Sequence, residues 1–122
     1  MSPRSRMGEL EQAVLDVLWD LGSASGREVH ERLAARGGRE LAYTTVMTVL
    51  DRLARKDVLV REREGRAFRY APRRSRAAMT AEVMREALDE TGPDRDQALV
   101  SFVGEASEAD LAALRRALAD LS

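Results

Sequence analysis

LAYTTVMTVLDRLARKDVLVREREGRAFRY, residues 41 to 70, reads as a helix followed at once by an arginine-bearing hairpin. From Leu41 to Lys56, Val46, Leu50 and Leu53 recur at helical spacing, which gives the helix one face to dock on a core. The opposite side collects Thr44, Thr45, Thr48 and Arg52. Short hydroxyls and a guanidinium fit a DNA major groove and still hydrogen-bond to base edges. The β-branched first turn is poor helix material, so packing or ligand contact must stabilise it. Val58 to Glu64 and Ala67 to Ala71 then alternate in strand fashion, with Phe68 and Tyr70 facing one way and Arg69 the other. Gly65 can take the positive φ of a turn between them. Arg61, Arg63, Arg66 and Arg69 decorate this hairpin, with Arg66 at the tip. A groove-sized helix followed by a basic hairpin is the layout of a winged helix-turn-helix, so the expected function is DNA binding by a regulator.

The flanking sequence completes that motif. Gly8 to Leu21 predicts a first helix burying Leu10, Val14, Val17, Leu18 and Leu21, and Gly22 stops it. Ser25-Gly26-Arg27-Glu28 matches a capping box, so a second helix starts there, with Val29 and Leu33 inward and Gly37-Gly38 at its end. The intervening Ser23-Ala24 is short enough to be one strand of a small sheet. Pro72 and the run Arg73-Arg74-Ser75-Arg76 mark a boundary. Beyond it, residues 75 to 90 predict a helix with Met79, Val83 and Leu88 as its apolar positions, broken at Thr91-Gly92-Pro93. Asp94 to Gly104 and Ser107 to Leu121 predict two more, the last with Leu111, Leu114, Leu118 and Leu121 along one side. Three short amphipathic helices cannot bury their stripes on one another alone, and a second subunit would cover them. The expected architecture is mostly α with a small β-wing: a winged-helix DNA-binding domain over residues 1–73 and a helical dimerisation domain over residues 74–122.

Composition narrows the alternatives. Hydrophobic residues make up 44% of the 122 and charged residues 34%, which supports folding, while aromatics at 4% favour a helical core of Leu, Val, Ala and Met. With no cysteine, disulfides and thiolate chemistry are excluded, and His30 as the single histidine leaves a zinc site without nitrogen partners. No cofactor is expected. No apolar run approaches the roughly 20 residues of a membrane span, and MSPRSRMGELEQ lacks a signal-peptide core, so the expected location is the cytoplasm. The net charge of −1 hides an asymmetry: residues 1 to 81 carry sixteen Lys/Arg against eleven Asp/Glu, and residues 82 to 122 carry four against ten. Only the front half suits an anionic partner.

LEQAVLDVLW (Leu10 to Trp19), LAYTTVMTVLDRLARKDVLVRE (Leu41 to Glu62), FRYAP (Phe68 to Pro72) and LVSFV (Leu99 to Val103) together resemble the BlaI/MecI family of transcriptional repressors. The resemblance spans roughly Gly8 to Leu121. It implies a homodimeric repressor of β-lactam resistance genes that binds inverted-repeat operator DNA and is released when a membrane sensor-protease pathway leads to its cleavage. The family's recognition helix falls on Tyr43 to Lys56, with Thr44, Thr45, Met47 and Thr48 as base-reaching candidates and Arg52 toward phosphate; Tyr43, Arg63 and Arg66 are the further DNA-binding candidates of this sequence. The scissile bond falls between Ser101 and Phe102, where members that are cut usually carry asparagine before the phenylalanine. Related copper-responsive repressors have a cysteine-rich tail, which this chain lacks.

Each candidate has a plainer alternative. Met47 is either rim packing or an apolar base contact. Arg52 is either a helix-surface ion pair or a phosphate clamp. Glu62 and Glu64 alternate with Arg61 and Arg63 and can pair with them, which leaves Arg66 as the wing residue most available to the DNA backbone. Trp19 reads as core or dimer-seam packing and His30 as a surface helix residue. Glu9, Glu11, Asp16 and Asp20 could be imagined as an acid/base pair, but Glu9 and Glu11 sit at a helix start, as its dipole favours, and no nucleophile, base and orienting group recur together, which argues against an enzyme. In the dimer, Leu99, Phe102, Val103, Leu111, Leu114 and Leu118 would form the seam. Two other functions fit the residues: a broader or constitutive repressor not controlled by cleavage, and a winged-helix module that binds proteins.

Overall fold

The computed structural model describes residues 8–37 and 40–122. Helix α1 spans Glu9–Leu21. The Gly8 N–H, extended at the cap position, donates to Glu11 Oε1 at 3.3 Å. Glu11 is thereby buried, and the Lys56 ammonium, 3.5 Å from its other oxygen, balances the charge. Gly22 ends the helix at φ 85°, a conformation that favours glycine. Strand β1 is Ala24–Ser25 and α2 is Gly26–Ala35. The capping box at this start is complete: the Glu28 amide donates to Ser25 Oγ at 3.1 Å, and the Ser25 amide donates to Glu28 Oε1 at 3.0 Å. Gly37 takes φ 77° after the helix, and Gly38, the other residue expected to end it, lies outside the described residues.

Helix α3 is Tyr43–Arg55, two residues shorter at its start than the periodicity predicts. Its cap residue Ala42 has no side-chain oxygen to accept a hydrogen bond, so the start is set by what surrounds it. Asp57 turns the chain at φ 61°, and β2 (Leu59–Glu64) and β3 (Ala67–Pro72) follow as an antiparallel hairpin. Glu64 pairs with Ala67 across a two-residue turn in which Gly65 has φ 65°. Strand β1 pairs with the other edge of β3, Ala24 opposite Tyr70 and Ser25 opposite Arg69, giving the sheet order β1-β3-β2. Three helices against a three-stranded sheet that ends in a protruding hairpin make a winged helix.

One core closes this unit. Val14, Leu15, Val17 and Leu18 of α1, Val29 and Leu33 of α2, and Val46, Val49, Leu50 and Leu53 of α3 are buried with Ala24, Leu59 and Tyr70. Leu15 and Val49 widen the stripes read from the sequence, while Leu10 and Leu21 are only half-buried. Trp19, also half-buried, donates its indole N–H to the Arg74 carbonyl at 2.9 Å, with the Arg76 guanidinium 5.0 Å over the ring.

Helix α4 (Arg76–Thr91) begins with Ser75 Oγ accepting from the Ala78 amide at 3.0 Å, and Met79 packs on the winged-helix core. The first compact unit extends to Val83, and the second runs from Met84 to Ser122. The second holds the end of α4, a 3-10 turn at Gly92–Asp94, α5 (Arg95–Glu105) and α6 (Glu108–Asp120), the last capped by Ser107 Oγ at 3.1 Å from the Asp110 amide. No helix among the described residues is long and apolar enough to cross a membrane.

Candidate nucleic-acid interface

Helix α3 presents two unlike faces. At about 100° per residue, Thr44, Thr48, Asp51 and Arg55 fall on one line, with Thr45 and Arg52 beside it and Val46, Val49, Leu50 and Leu53 opposite. All four residues of the second group are buried, and Thr44, Thr45, Thr48 and Arg52 are all exposed. Arg52 makes no side-chain ion pair among the described residues, unlike its neighbour Arg55, which lies 3.0 Å from Asp51. Its guanidinium is free to meet an anion. Thr48 Oγ1 donates to the Thr44 carbonyl at 2.9 Å, so its proton is engaged within the helix. What it can offer a base is a lone pair or its methyl, which suits an adenine or cytosine amino group or a thymine methyl.

Tyr43 and Met47 sit where α3 meets the start of α2. Tyr43 is 47% exposed. Met47 is half-buried against the core, and its sulfur lies so close over Gly26 that a β-carbon there would collide with it. His30 is not a plain surface residue. It is half-buried, its Nε2 lies 2.8 Å from the Leu41 carbonyl oxygen, and its ring meets Tyr43 in a T-shaped contact at 5.8 Å. A histidine on α2 thus tethers the segment that leads into α3, which sequence spacing gave no reason to suspect.

The wing arginines divide by partner. Arg66 at the turn is exposed and has no ion pair among the described residues. Among the described residues Arg63 meets only the Phe68 ring, 5.7 Å from its guanidinium carbon. Arg61 is held by Asp51 at 3.2 Å and stacks over Phe68 at 4.4 Å. Arg69 points to the other face of the hairpin, as the alternation predicts, and is fully engaged there: Nε donates to Ser23 Oγ at 2.9 Å, and Nη1 lies 3.1 Å from Glu28 and 3.7 Å from Glu64. It ties β3 to β1 and α2. The Ser25 amide and hydroxyl hold the Glu28 carboxyl below the ordinary carboxylate value, burial opposes them, and the Arg69 guanidinium adds to the lowering.

The second unit contains no buried residue in α5 or α6. Leu99, Phe102, Val103, Leu114 and Leu118 are exposed, Phe102 by 51% and Leu118 by 65%, and Leu111 is half-buried. Ser101 and Phe102 lie inside α5, so the bond between them is helical. Among the described residues no group of three or more acidic or histidine side chains converges as a metal site.

The fold and the two faces of α3 define a winged-helix protein. The model of the penicillinase repressor family matches residues 7–120, and the chain belongs to that family, whose members are transcriptional repressors rather than enzymes. The transcriptional regulator BlaI of Mycobacterium tuberculosis, in strains CDC 1551 and H37Rv, is 48% identical over 124 residues, covering 99% of this chain and 88% of the relative. Among solved structures, the DNA-binding domain of the repressor BlaI superposes with a TM-score of 0.53 at 28% identity, covering 63% of this chain and 92% of that domain. A MarR variant from E. coli shares the fold alone, at 16% identity and TM-score 0.53, over 97% of this chain and 79% of its own.

Proposed function

We propose that this chain is a homodimeric transcriptional repressor that binds inverted-repeat operator DNA, with residues 1–73 as the DNA-binding domain and residues 74–122 as the dimerisation domain. The observation that carries the reading is the solvent-facing side of α3, where three threonines stand with Arg52 beside a wing tipped by Arg66, both arginines without an ion pair among the described residues. Helix α3 enters the major groove with Thr44, Thr45 and Thr48 toward base edges, Tyr43 and Met47 at the rim, and Arg52 on a phosphate. Arg63 and Arg66 follow the backbone from the wing. The named function of the BlaI relatives supports the same reading, and β-lactam resistance genes are the targets their family name suggests.

Dimerisation supplies the second half-site. Leu99, Phe102, Val103, Leu111, Leu114 and Leu118 form the seam, because helices that bury none of their apolar residues within the second unit need another surface to do so. Two helices related by a two-fold axis then read a palindrome whose half-site spacing the seam sets. Control by cleavage between Ser101 and Phe102 requires α5 to unwind locally, since the bond is helical. Serine in place of the asparagine usual in cut members favours the second reading, a repressor that no protease releases.

Selection from a randomised duplex pool tests the proposal. Recovery of a two-fold symmetric sequence, bound at two protomers per duplex, is the expected result. A lack of enrichment, with no retention of any duplex at low salt, contradicts it and favours a protein-binding module. Incubating the protein with lysate from β-lactam-treated cells and measuring its mass separates the two modes of control: a fragment ending at Ser101 establishes cleavage.

A further inference from the structure

Asp51 stands on the wrong side of α3 for an ordinary surface acid. It lies on the same line of the helix as Thr44 and Thr48, where a carboxylate repels phosphate. Three observations give it a role. Its Oδ1 is 3.2 Å from Arg61 Nη1 on β2, and its Oδ2 is 3.0 Å from Arg55 Nη2 one helical turn on. The Arg61 guanidinium in turn lies 4.4 Å over the ring of Phe68 on β3. The same ring has Arg63, the residue paired with Phe68 across the hairpin, at 5.7 Å. A carboxylate on the helix, a planar cation and an aromatic ring on the wing therefore form one continuous stack leading toward the wing tip.

We propose that Asp51, acting through Arg61 and Phe68, is a positioning residue that fixes the angle of the wing to the groove-facing helix, so that Arg66 and Arg63 reach the DNA backbone while Thr44 and Thr48 face the bases. This rests on the DNA-binding reading above. A lone exposed ion pair fixes little, because its two long side chains stay mobile. Arg61 differs in being held at both ends: the carboxylate fixes one edge of the guanidinium and the Phe68 ring fixes its face. Phe68 is itself half-buried on the wing, so it gives the guanidinium an anchored surface. A two-stranded ribbon has little rigidity of its own, and the brace supplies what the hairpin lacks.

The brace and simple electrostatics predict opposite outcomes. Replacing Asp51 by Asn removes a negative charge beside a polyanion, which by charge counting alone tightens binding. The brace predicts weaker binding and a wing that no longer contributes. The probe is a 40-base-pair duplex of mixed sequence, titrated across salt with the full chain, its Asp51→Asn and Phe68→Leu variants, and each of these combined with Arg66→Ala. In the wild type, Arg66→Ala should reduce the log–log salt slope by about 0.9 per protomer, one phosphate contact. In the Asp51→Asn and Phe68→Leu backgrounds the same change should reduce it by less than about a third of that. Asp51 is only half-buried and lies outside the hydrophobic core, so its variant should fold, and Phe68→Leu provides a second route to the same loss.

Backbone relaxation of Gly65 and Arg66 in the free protein is an independent arm, with faster and larger motion expected in Asp51→Asn. Tighter duplex binding by Asp51→Asn with the full effect of Arg66→Ala retained overturns the proposal. If the wild type itself binds no duplex, the DNA-binding reading fails, and the relaxation arm alone decides the brace: unchanged wing mobility in Asp51→Asn removes it.

Discussion

Arg66→Ala and Arg69→Ala exchange one hairpin arginine each, at positions three residues apart, and they should behave in opposite ways. Arg66 has no partner to lose within the described fold, whereas Arg69 holds Ser23 and Glu28 at 2.9 and 3.1 Å and joins β3 to β1 and α2. If Arg66 contacts a phosphate, its loss releases one counterion fewer, and the log–log salt slope falls by about 0.9 per protomer. A fourfold rise in salt then costs the variant about 3.5-fold less affinity per protomer than it costs the wild type. Its thermal stability should be unchanged. Arg69→Ala should leave the salt slope as it is. Its exposed ion pairs are individually weak, but the Ser23 and Glu28 bonds are lost together, for about 1 kcal/mol. That corresponds to a fall in Tm of about 4 to 8 °C for a unit of this size. Fluorescence anisotropy on a labelled mixed-sequence duplex at several salt concentrations, with thermal melts of the same samples, measures both quantities. Equal slopes for the wild type and Arg66→Ala, or a slope lowered by Arg69→Ala, would refute the division of the wing into a DNA-facing and a structural side.

Three further outcomes follow from particular contacts. Thr48→Ala should reduce discrimination at one operator position by about tenfold, on the order of 1.4 kcal/mol, while Arg52→Ala weakens all sequences alike; competition among single-base variants of the selected duplex checks both. Glu28 has its pKa lowered in the folded state, so its contribution to stability is complete above the ordinary carboxylate value near 4.5 and fades as pH falls below it. The stability gap between wild type and Glu28→Gln, followed by urea unfolding, should therefore be present at pH 7 and close on acidification below about 4.5. Leu118→Glu places a charge on the exposed stripe of α6, and sedimentation should show its dimer weakened by tenfold or more at ~1.5 to 3 kcal/mol per buried leucine, with the isolated fold intact.

What the sequence disclosed, and what it hid, divides by distance along the chain. The Ser25–Glu28 capping box was readable because its two hydrogen bonds close within four residues, and both formed. The stripe Val46, Leu50 and Leu53 was readable because period alone places it, and Phe68 and Tyr70 against Arg69 because a strand alternates. The start of α3 was less so: Ala42 has no capping oxygen, and the tether from His30 comes from another helix eleven residues earlier. The wing arginines carried the same ambiguity for the same reason. Arg69 finds Ser23 and Glu28 more than forty residues back, and Arg61 finds Asp51 ten residues back on α3. Spacing puts Arg69 on the far face and Arg66 at the tip, but it does not show which distant side chains engage Arg61 and Arg69. Asp51 and Arg55 share the line of Thr44 and Thr48, and only the fold brings Arg61 of the hairpin to the same carboxylate. Glu11 read as an acid favoured by the helix dipole, yet it is buried as a cap for Gly8 and balanced by Lys56.

Amide chemical shifts of the ¹⁵N-labelled protein, recorded as mixed-sequence duplex is added at low salt, test the assignment of the interface most directly. The account predicts that shifts concentrate on Tyr43 to Arg55 and on Arg63 to Ala67, and leave the apolar helices α5 and α6 unmoved. Shifts confined to α5 and α6, or a spectrum that duplex does not change, would contradict it.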